Sequence, residues 1–281
     1  MIVGFGENSV DVVYRLPSFP QPGAGSKMRI ADRAVRSGGQ VATTLATCAA
    51  LGLRTRYIGA FGNDDNGTLI RDELTRRGVD VSRALVRLCP NRYAVILIDA
   101  TRGERVVLWD KDPRLVITAA DVHRDWLADA ALLHVDATDD EAAIALARMA
   151  REAAIPVTCD VDHVTPRTRD LLDAVTLPVV AEALPATLTG CGDVETALRA
   201  IRRPHHTHVV VTLGARGAAM LVGDRYIESP GVPVDPVDTT GAGDVFRGAL
   251  IAALLRGDAP EEMLRFANAM AAESCTRRGA I

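Results

Sequence analysis

The order of strand-like and helix-like segments restricts the fold of this 281-residue chain more than any other feature of its sequence. Short β-type runs alternate with longer segments whose apolar residues recur every three or four positions. Such alternation favours a mainly parallel sheet covered by helices on both faces, because each parallel connection must cross back over the sheet. The predicted strands are 2–5, 55–60, 131–135, 157–160, 177–180 and 208–213. The predicted helices include 41–51, 66–77, 140–153 and 194–202.

Two segments do not follow this alternation. Residues 11–36 contain three prolines and two glycines, show little helical periodicity and end in a predicted strand. Residues 91–110 have the pattern of two strands joined by a hairpin with Gly103 in its turn. Since neither segment fits inside a parallel sheet, we predict a small accessory β-sheet that projects from a single domain. This lid could close over a ligand, or its exposed edge could pair with a second subunit in a homodimer.

The composition argues against several functions. The net charge of −4 and the aromatic content of 4% disfavour a nucleic-acid-binding surface, which needs basic and base-stacking side chains. The longest apolar run, residues 249–255, is too short to span a bilayer, so we expect no membrane partner. The five cysteines are widely spaced without a C-x-x-C pair, and no basic segment followed by an apolar run begins the chain. We therefore expect a protein of the reducing cytoplasm without a secretory signal.

The stretch VDTTGAGDVFRGALIAALLRG, residues 237–257, carries the clearest chemical signal. Its second half has the apolar spacing of a helix, and Gly257 follows as a predicted C-terminal cap. Gly241 and Gly243 permit backbone conformations and close approaches that other residues do not, so main-chain N–H groups can converge ahead of the helix. The helix N-terminus adds unpaired N–H groups and the positive end of its dipole. Together these features predict an anion pocket suited to a phosphate.

Asp244 brings a second anion into this predicted phosphate pocket. One interpretation is an ordinary capping residue in the first turn of the helix. The other is a catalytic carboxylate that accepts a proton from a hydroxyl group attacking the phosphate. The helix dipole would make this carboxylate a weak base, which phosphoryl transfer tolerates because the reaction depends mostly on positioning and charge stabilisation.

Three stretches of the chain resemble the PfkB (ribokinase-like) family of carbohydrate kinases. DTTGAGDVFRGAL, residues 238–250, is similar to the second signature of that family, and SGGQVATTLATCAALGLRTRYIGAFGNDDNG, residues 37–67, resembles the first in weaker form. VVVTLGARGAAML, residues 209–221, resembles the strand and turn on the nucleotide side. The resemblance implies a single ribokinase-like domain over residues 1–281. Its fold would be a three-layer α/β/α sandwich with a mainly parallel central sheet and a small β-sheet lid.

By this resemblance, Asp244 is the base that acts on the sugar hydroxyl attacking the γ-phosphate of ATP. The amides implied to form the anion hole are those of Gly241, Ala242 and Gly243. The residues implied to contact the sugar are Asp11, Gly38, Gly39 and Thr43. A carboxylate such as that of Asp11 suits a polyol because it can accept hydrogen bonds from two neighbouring hydroxyls, although a solvated turn residue is the alternative.

The resemblance also implies an ATP site, with Mg²⁺ held mainly by phosphate oxygens and water. The positions implied to line the ATP phosphates and ribose are Thr212, Gly214 and Gly217. Asn268 resembles a position beside the adenine, or alternatively a buried helix residue that caps a neighbouring loop. Asp238 resembles the aspartate that helps to hold K⁺ in potassium-activated members, or it solvates the entry to the helix.

Two regions depart from the family pattern. Thr43 stands where the first signature usually carries an asparagine that contacts the sugar, which leaves the identity of the sugar open. In VVAEALPATLTG the family's Asn-x-x-Glu motif near the metal and phosphates is incomplete, since only Glu182 remains and Ala181 and Leu184 occupy motif places. Three polar residues at the end of a predicted strand could line the phosphate side or cap a turn: Asp160, Asp162 and His163.

The sequence therefore predicts an ATP-dependent carbohydrate kinase that transfers the γ-phosphate of ATP to a hydroxyl of a pentose, ketohexose or related polyol. A nucleoside kinase of the same family is one alternative, which the low aromatic content disfavours because a base needs a flat apolar slot. The other alternative is a sugar-binding regulator that has lost catalysis. The intact Asp244 and glycine turn argue against that regulator, whereas Thr43 and Leu184 leave it open.

Overall fold

The computed structural model of the protein describes residues 1–21, 23, 27–102 and 104–279. Its strands are β1 (Ile2–Phe5), β2 (Ser9–Leu16), β3 (Asp32–Gly38), β4 (Thr55–Ile58), β5 (Ala60–Gly62), β6 (Val79–Asp80), β7 (Leu85–Arg87), β8 (Tyr93–Asp99), β9 (Arg105–Asp110), β10 (Leu132–Asp136), β11 (Val157–Asp160), β12 (Val179–Ala181), β13 (Val209–Thr212), β14 (Gly217–Val222) and β15 (Arg225–Pro230). Its α-helices are α1 (Gln40–Ala50), α2 (Asp65–Arg76), α3 (Asp140–Glu152), α4 (Thr168–Ala174), α5 (Ala183–Thr189), α6 (Val194–Ile201), α7 (Ala242–Arg256) and α8 (Pro260–Cys275).

A parallel sheet in the order β11-β10-β1-β4-β6 forms the centre of the molecule. Isolated bridges connect β11 and the residue after it to the segment around β12, which begins a second sheet in the order β12-β13-β14-β15. In this second sheet β12 and β13 are parallel, and β14 and β15 are antiparallel additions. Because β1, β10 and β11 are parallel, their carboxyl ends meet at one edge of the sheet. At this edge Asp136 of β10 and Asp160 of β11 are opposite each other in the strand register. The polar residues that end or follow these strands are thereby brought together.

Helices cover both faces of the sheet, and the side chains of β1 show how. Val3 and Phe5 belong to a core shared with α3 and α4, whereas Ile2 belongs to a core shared with α1 and α2. A Cβ on Gly4 would lie 2.6 Å from Leu45 Cδ1, so glycine at this position lets α1 pack directly on the strand. Helices α7 and α8 pack on each other and against β13 and β14. The predicted α/β sandwich with a mainly parallel sheet is confirmed.

Strands β3-β2-β8-β9 form a separate sheet, which corresponds to the predicted lid. β2 pairs antiparallel with β3 and parallel with β8, and β8 pairs antiparallel with β9. The predicted segments 11–36 and 91–110 thus contribute to this sheet, although the predicted turn residue Gly103 lies outside the described residues. Within the first segment, the sequence predicted a strand only at the end. It missed β2, although apolar residues stand at every second position from Val10 to Leu16.

One predicted strand is divided in the structure. Residues 55–60 separate at Gly59 into β4, in the central sheet, and β5, which pairs with β7. A Cβ on Gly59 would lie 2.1 Å from the Tyr57 hydroxyl, so only glycine fits where the chain leaves the sheet. Within the described part of the chain, no helix is both long and apolar enough to cross a bilayer. All five cysteines are free thiols, while the compartment and the single-domain organisation stay predictions.

Candidate active site

The turn before α7 requires glycine at two positions for two different reasons. Gly241, the residue before the helix, has a φ of 74°, a left-handed conformation that is costly for residues with a Cβ. Gly243 lies inside the first turn, where a Cβ would come within 2.8 Å of Nη1 of Arg247. At the other end of the helix, Gly257 also has a left-handed conformation, with a φ of 79°, in agreement with its predicted capping role.

Main-chain N–H groups at this turn are available to a ligand. Among the described residues, the amides of Gly241 and Gly243 donate to no protein acceptor, and Ala242 N reaches Thr239 O at 3.3 Å. Val245 N donates to Gly241 O at 3.0 Å, so regular helical hydrogen bonding begins after the turn. The start of α7 therefore has the free donors and the dipole that an anion hole needs, and that role stays a prediction.

Asp244 lies on the first turn of α7 and faces a cavity between the lid and the central sheet. All four residues assigned to the sugar, the proposed base and one of the three anion-hole residues line this cavity: Asp11, Gly38, Gly39, Thr43, Asp244 and Gly241. They come from β2, from the junction of β3 and α1, and from the start of α7. Ala242 and Gly243 are not among the residues that line the cavity. Stretches that are distant along the chain are therefore brought to one concave site, which supports their predicted association.

The double glycine lets the backbone pass close to the lid carboxylate. A Cβ on Gly38 would lie 2.3 Å from Oδ2 of Asp11, and Gly39 has a φ of 98° with its Cβ position 2.5 Å from Asn8 Cα. The Asp11 carboxylate accepts a hydrogen bond from Ser9 Oγ at 2.9 Å. Burial raises the pKa of Asp11 above its usual value. Thr43 is almost fully buried on the first turn of α1, where it contributes to the cavity wall.

A second group of polar residues, which the sequence analysis missed, lies beside this cavity at the carboxyl ends of β1 and β10. Asp136 is fully buried and accepts hydrogen bonds from the amides of Glu7 and Thr138, and burial raises its pKa to about 7. Two ion pairs flank Asp136: Arg92 with Glu7 at 2.6 Å and Lys111 with Asp139 at 2.5 Å. The sequence did contain a signal for this group, because a polar residue ends or follows each of two predicted strands that are neighbours in the parallel sheet.

The three polar residues at the end of β11 have different environments in the structure. Asp162 and His163 are exposed and contact each other, with Oδ1 and Nδ1 2.6 Å apart. Asp160, in contrast, is fully buried and forms an ion pair of 2.6 Å with Arg247. Burial and the Asp160 charge raise the pKa of Asp244, while Arg247 acts in the opposite direction.

The predicted phosphate-side residues of the nucleotide site also lie together. Thr212 ends β13, and Gly214 follows with a φ of 58°. Gly217 begins β14 with a φ of 101°, and a Cβ there would lie 2.2 Å from Ser229 O. Glu182 follows β12, and its Oε2 is 3.9 Å from the Cβ position of Gly214. Its carboxylate is exposed, and its Oε1 pairs with Arg216 at 2.6 Å, so a hydrated metal ion there would approach the carboxylate beside that guanidinium.

Other positions of the nucleotide-side prediction have packing roles. Asn268 Nδ2 donates to Ser229 O at 3.0 Å, to Ser229 Oγ at 3.1 Å and to Pro230 O at 3.2 Å, which fastens α8 to the end of β15. This geometry matches the alternative of a buried asparagine that caps a neighbouring loop, and the adenine contact stays a prediction. Leu184 is buried in the core, whereas Ala181 ends β12.

Asp238, the predicted ligand of a monovalent cation, already has a cationic partner. Its Oδ2 lies 2.5 Å from Nη1 of Arg36, which comes from lid strand β3, and it accepts a hydrogen bond from Gly279 N at 3.1 Å. Its Oδ1 accepts a hydrogen bond from Thr240 N at 3.0 Å. A K⁺ ion at this carboxylate would have to approach or displace a guanidinium, so these residues do not fit a cation site. The K⁺ role of Asp238 stays an untested prediction.

Comparisons with known proteins agree with this arrangement. The model of the pfkB family carbohydrate kinases matches residues 1–281, and the chain therefore belongs to that family. It is 30% identical over 302 residues to an acarbose 7(IV)-phosphotransferase of an Actinoplanes species, covering 100% of this chain and 95% of the relative. It is 28% identical over 299 residues to a ribokinase of Arabidopsis thaliana, covering 100% of this chain and 77% of that protein.

A solved structure extends the likeness to three dimensions. Arabidopsis thaliana ribokinase complexed with ribose and ATP superposes on the chain with a TM-score of 0.86 and 27% identity, covering 99% of this chain and 93% of that one. The ribokinase-like fold is thereby confirmed. The protein is a sugar phosphotransferase, with an alcohol group as the acceptor.

Proposed function

We propose that this enzyme transfers the γ-phosphate of ATP to a hydroxyl of a pentose, a ketohexose or a related polyol. The observation that carries the proposal is the single cavity lined by Asp244, Gly241 and Asp11. Such a cavity offers a base, free amide donors and a hydroxyl-binding carboxylate to the same ligand. The relatives support the use of ATP and a sugar, since one similar structure contains ribose and ATP.

Each group has a chemical task in this proposal. Asp11 accepts hydrogen bonds from sugar hydroxyls, which holds the attacking hydroxyl next to Asp244. As the new O–P bond forms and the bond to ADP breaks, Asp244 takes the hydroxyl proton. The amides at Gly241, Ala242 and Gly243 stabilise the charge on the transferring group, at about 3–4 kcal/mol for each well-aimed donor.

Mg²⁺ would neutralise charge on the β- and γ-phosphates of bound ATP. Glu182 and the turn at Gly214 lie together at the carboxyl ends of β12 and β13, so Glu182 is the carboxylate placed to hold a hydrated ion there. Mg²⁺ usually keeps several waters and few protein ligands, so a single exposed carboxylate fits it despite the incomplete motif.

The cavity favours a sugar over a nucleoside as the acceptor. None of the described residues that line it is aromatic, so it offers no flat surface on which a base would stack. The sugar-binding regulator is the other alternative. It is disfavoured because Asp244 faces the cavity and, among the described residues, the amides of Gly241 and Gly243 have no protein acceptor, whereas Leu184 is a core residue rather than a sign of lost function.

The substitution Asp244→Asn tests the proposed function. The variant and the wild type are incubated with Mg-ATP and a panel of sugars and nucleosides while ADP release is followed. We expect sugar-dependent turnover in the wild type and a loss of about 10²–10⁴-fold in kcat in the variant, because the base is removed. Asp235→Asn, an exposed change nine residues upstream, serves as the control and should keep wild-type turnover.

Each other outcome has a meaning for the proposal. Sugar binding without ADP release by the wild type would indicate the regulator, and turnover with nucleosides alone would indicate the nucleoside kinase. Unchanged turnover in Asp244→Asn would contradict the assignment of the base while leaving the family unaffected.

We further infer that two copies of the chain pair through the lid. β9 is the last strand of the lid sheet, and all its residues are exposed, including Val107, Leu108 and Trp109. An unpaired edge that carries apolar side chains is a template for another strand, and a second identical lid supplies one.

A further inference from the structure

A buried ion pair behind the proposed catalytic acid has no role in the function described so far. Asp160 ends β11, and Arg247 lies on α7 three residues after Asp244. Nη2 of Arg247 lies 2.6 Å from Oδ1 of Asp160, and their side chains are 4% and 1% exposed. Burying two charges costs several kcal/mol per ion, so a buried ion pair is weak evidence for a purely stabilising role. Another reason for its presence is therefore needed.

The pair contacts the proposed reaction centre. Burial raises the pKa of both Asp160 and Asp244, and the negative charge of Asp160 raises the pKa of Asp244 further. The guanidinium of Arg247 lies directly behind the anion turn, where a Cβ on Gly243 would be 2.8 Å from Nη1. The three ionisable side chains thus form one unit that begins at the cavity wall and ends in the core.

This unit retains hydrogen-bonding capacity beyond the ion pair. Among the described residues, neither carboxylate oxygen of Asp160 accepts a well-directed hydrogen bond, and Nε of Arg247 has no acceptor. A structural ion pair in a protein core normally satisfies these groups. Their unused capacity is adjacent to Asp244, the one member that a ligand in the cavity can reach.

The remaining charged groups around Asp244 are mostly acidic. Those contributed by the neighbouring elements are Glu7, Asp11, Asp136 and Asp162. His134, on β10, is neutral at physiological pH because burial and the adjacent Arg247 lower its pKa to about 3. Arg247 is therefore the cation that pairs with Asp160 and lies next to the turn carrying Asp244, and Asp160 is the acid whose charge opposes the ionisation of Asp244.

We propose that Asp160 and Arg247 are positioning residues that set the protonation state of Asp244, with Asp160 favouring the protonated acid and Arg247 favouring the carboxylate. The inference rests on the proposed function, in which Asp244 must be ionised to accept the proton of the sugar hydroxyl. Neither residue touches the substrate in this proposal. Asp160 is sealed from the cavity by its burial, and Arg247 lies behind the turn.

The test is the pH dependence of kcat/KM in two variants that should act in opposite directions. Asp160→Asn removes the competing charge, so the acid limb of the profile should move to lower pH by about 1–3 units. Arg247→Gln removes the stabilising cation, so the acid limb should move to higher pH by a similar amount. Arg247→Lys keeps the charge and should restore a limb near that of the wild type.

Matched controls separate this effect from general loss of charge. Asp170→Asn changes an exposed aspartate on α4, and Arg256→Gln changes an exposed arginine at the far end of α7. Both should leave the acid limb within a few tenths of a pH unit of the wild type. Shifts of the same sign in the two test variants, or lower kcat with an unmoved limb, would overturn the proposal and leave only a structural role.

A second measurement does not depend on activity. The ¹³C resonance of the Asp244 carboxyl, assigned by its disappearance in Asp244→Asn, is titrated in the unliganded protein. The midpoint of this titration should fall in Asp160→Asn. It should rise in Arg247→Gln, and it should rise by less in Arg247→Lys. Equal midpoints in all variants would overturn the proposal. If the wild type phosphorylates no sugar but these midpoints move as expected, the proposed function fails while the electrostatic unit stands.

Discussion

At the scale of single residues, the site is dominated by acidic side chains at the C-terminal ends of neighbouring strands. Asp136 ends β10, Asp160 ends β11, and Glu7 follows β1, all within a region from which water is largely excluded. Burial is the first cause of the raised pKa of each of the three. Residues that keep a proton more tightly than free carboxyls do are suited to proton transfer, and they also couple stability to pH.

The first prediction concerns Asp136 and stability. Its pKa is raised from 3.8 to about 7, so the folded protein keeps a proton that the unfolded chain releases above about pH 4. This stabilising contribution is complete below the unfolded pKa and is lost as the pH rises through about 7. Asp136→Asn cannot ionise, so its Tm relative to the wild type should rise between about pH 4 and about pH 7. Thermal unfolding at several pH values measures this difference.

The control for this experiment is Asp72→Asn, an exposed position on α2. Its Tm should follow the pH dependence of the wild type. An Asp136→Asn variant whose Tm difference from the wild type stays constant with pH would show that the pKa of Asp136 is the same in the folded protein and in the unfolded chain.

A second prediction at this scale concerns Gly38. A Cβ there would lie 2.3 Å from Oδ2 of Asp11, so Gly38→Ala must displace the proposed sugar-binding carboxylate. We expect KM for the sugar to rise by about tenfold or more, since one good hydrogen bond to a charged group is worth about 1.5–3 kcal/mol. KM for ATP should change little, and steady-state kinetics with each substrate varied in turn measures both.

The matched control is Gly192→Ala, because a Cβ at Gly192 would meet nothing within 4 Å. It should leave both KM values at their wild-type level. Equal increases in the KM for sugar and for ATP in Gly38→Ala would point to a general distortion of the site instead of a displaced Asp11.

At the scale of elements, the lid and the anion turn are joined by one ion pair. Arg36 lies on β3 and Asp238 precedes the turn that begins α7, so the contact links a lid strand to the loop that carries the proposed anion hole. The two side chains are 22% and 9% exposed, so the interaction is only partly screened by solvent. Arg36 also supplies the positive charge that a monovalent cation would supply at Asp238.

The prediction at this scale concerns cation dependence. With its own guanidinium at Asp238, the wild type should show less than about twofold change in kcat when K⁺ replaces tetramethylammonium at constant ionic strength. Arg36→Gln removes that charge, so its kcat should fall and K⁺ should restore part of it. Arg33→Gln, an exposed change on the same strand, is the control and should behave as the wild type. Strong activation of the wild type by K⁺ would show instead that K⁺ displaces Arg36 from Asp238.

At the scale of the whole molecule, the lid presents one unpaired strand. β9 pairs with β8 on one side only, and its exposed apolar residues include Val106, Val107, Leu108 and Trp109. Soluble monomers usually protect such an edge with charges, prolines or a covering element. The central sheet and its two cores do not depend on β9, so a change there should affect assembly more than folding.

The prediction at this scale concerns oligomeric state. If two copies pair through the lid, the wild type should have the mass of a dimer by light scattering, and Val107→Glu should shift it towards the monomer because a charge would be buried at the interface. Leu88→Glu, at an 81% exposed apolar residue outside the lid sheet, is the control and should remain a dimer. A monomeric wild type, or a dimer that Val107→Glu does not weaken, would contradict pairing through β9.

Local patterns account for much of what could be predicted. The alternation of strands and helices identified the parallel sheet, and the spacing from Phe246 to Gly257 identified α7 and its end, because periodicity and capping are properties of neighbouring residues. The irregular segments 11–36 and 91–110 identified the lid. β2 was missed although its alternation is local, whereas the division at Gly59 was missed because it depends on the pairing of β5 with β7, which follows about 25 residues later.

The sequence by itself determined the glycine turn, the helix after it and the acid between them, because these lie within a few residues of one another and rely on backbone geometry. Only the tertiary structure decided that Asp160 and Arg247 form a buried ion pair behind the turn that carries Asp244, that Arg36 pairs with Asp238, and that Asn268 holds α8 against a strand. The physical reason is that electrostatic interactions and close packing depend on distance in space. Parallel strands bring their carboxyl ends together from positions far apart along the chain, and no local pattern records which of those ends will meet.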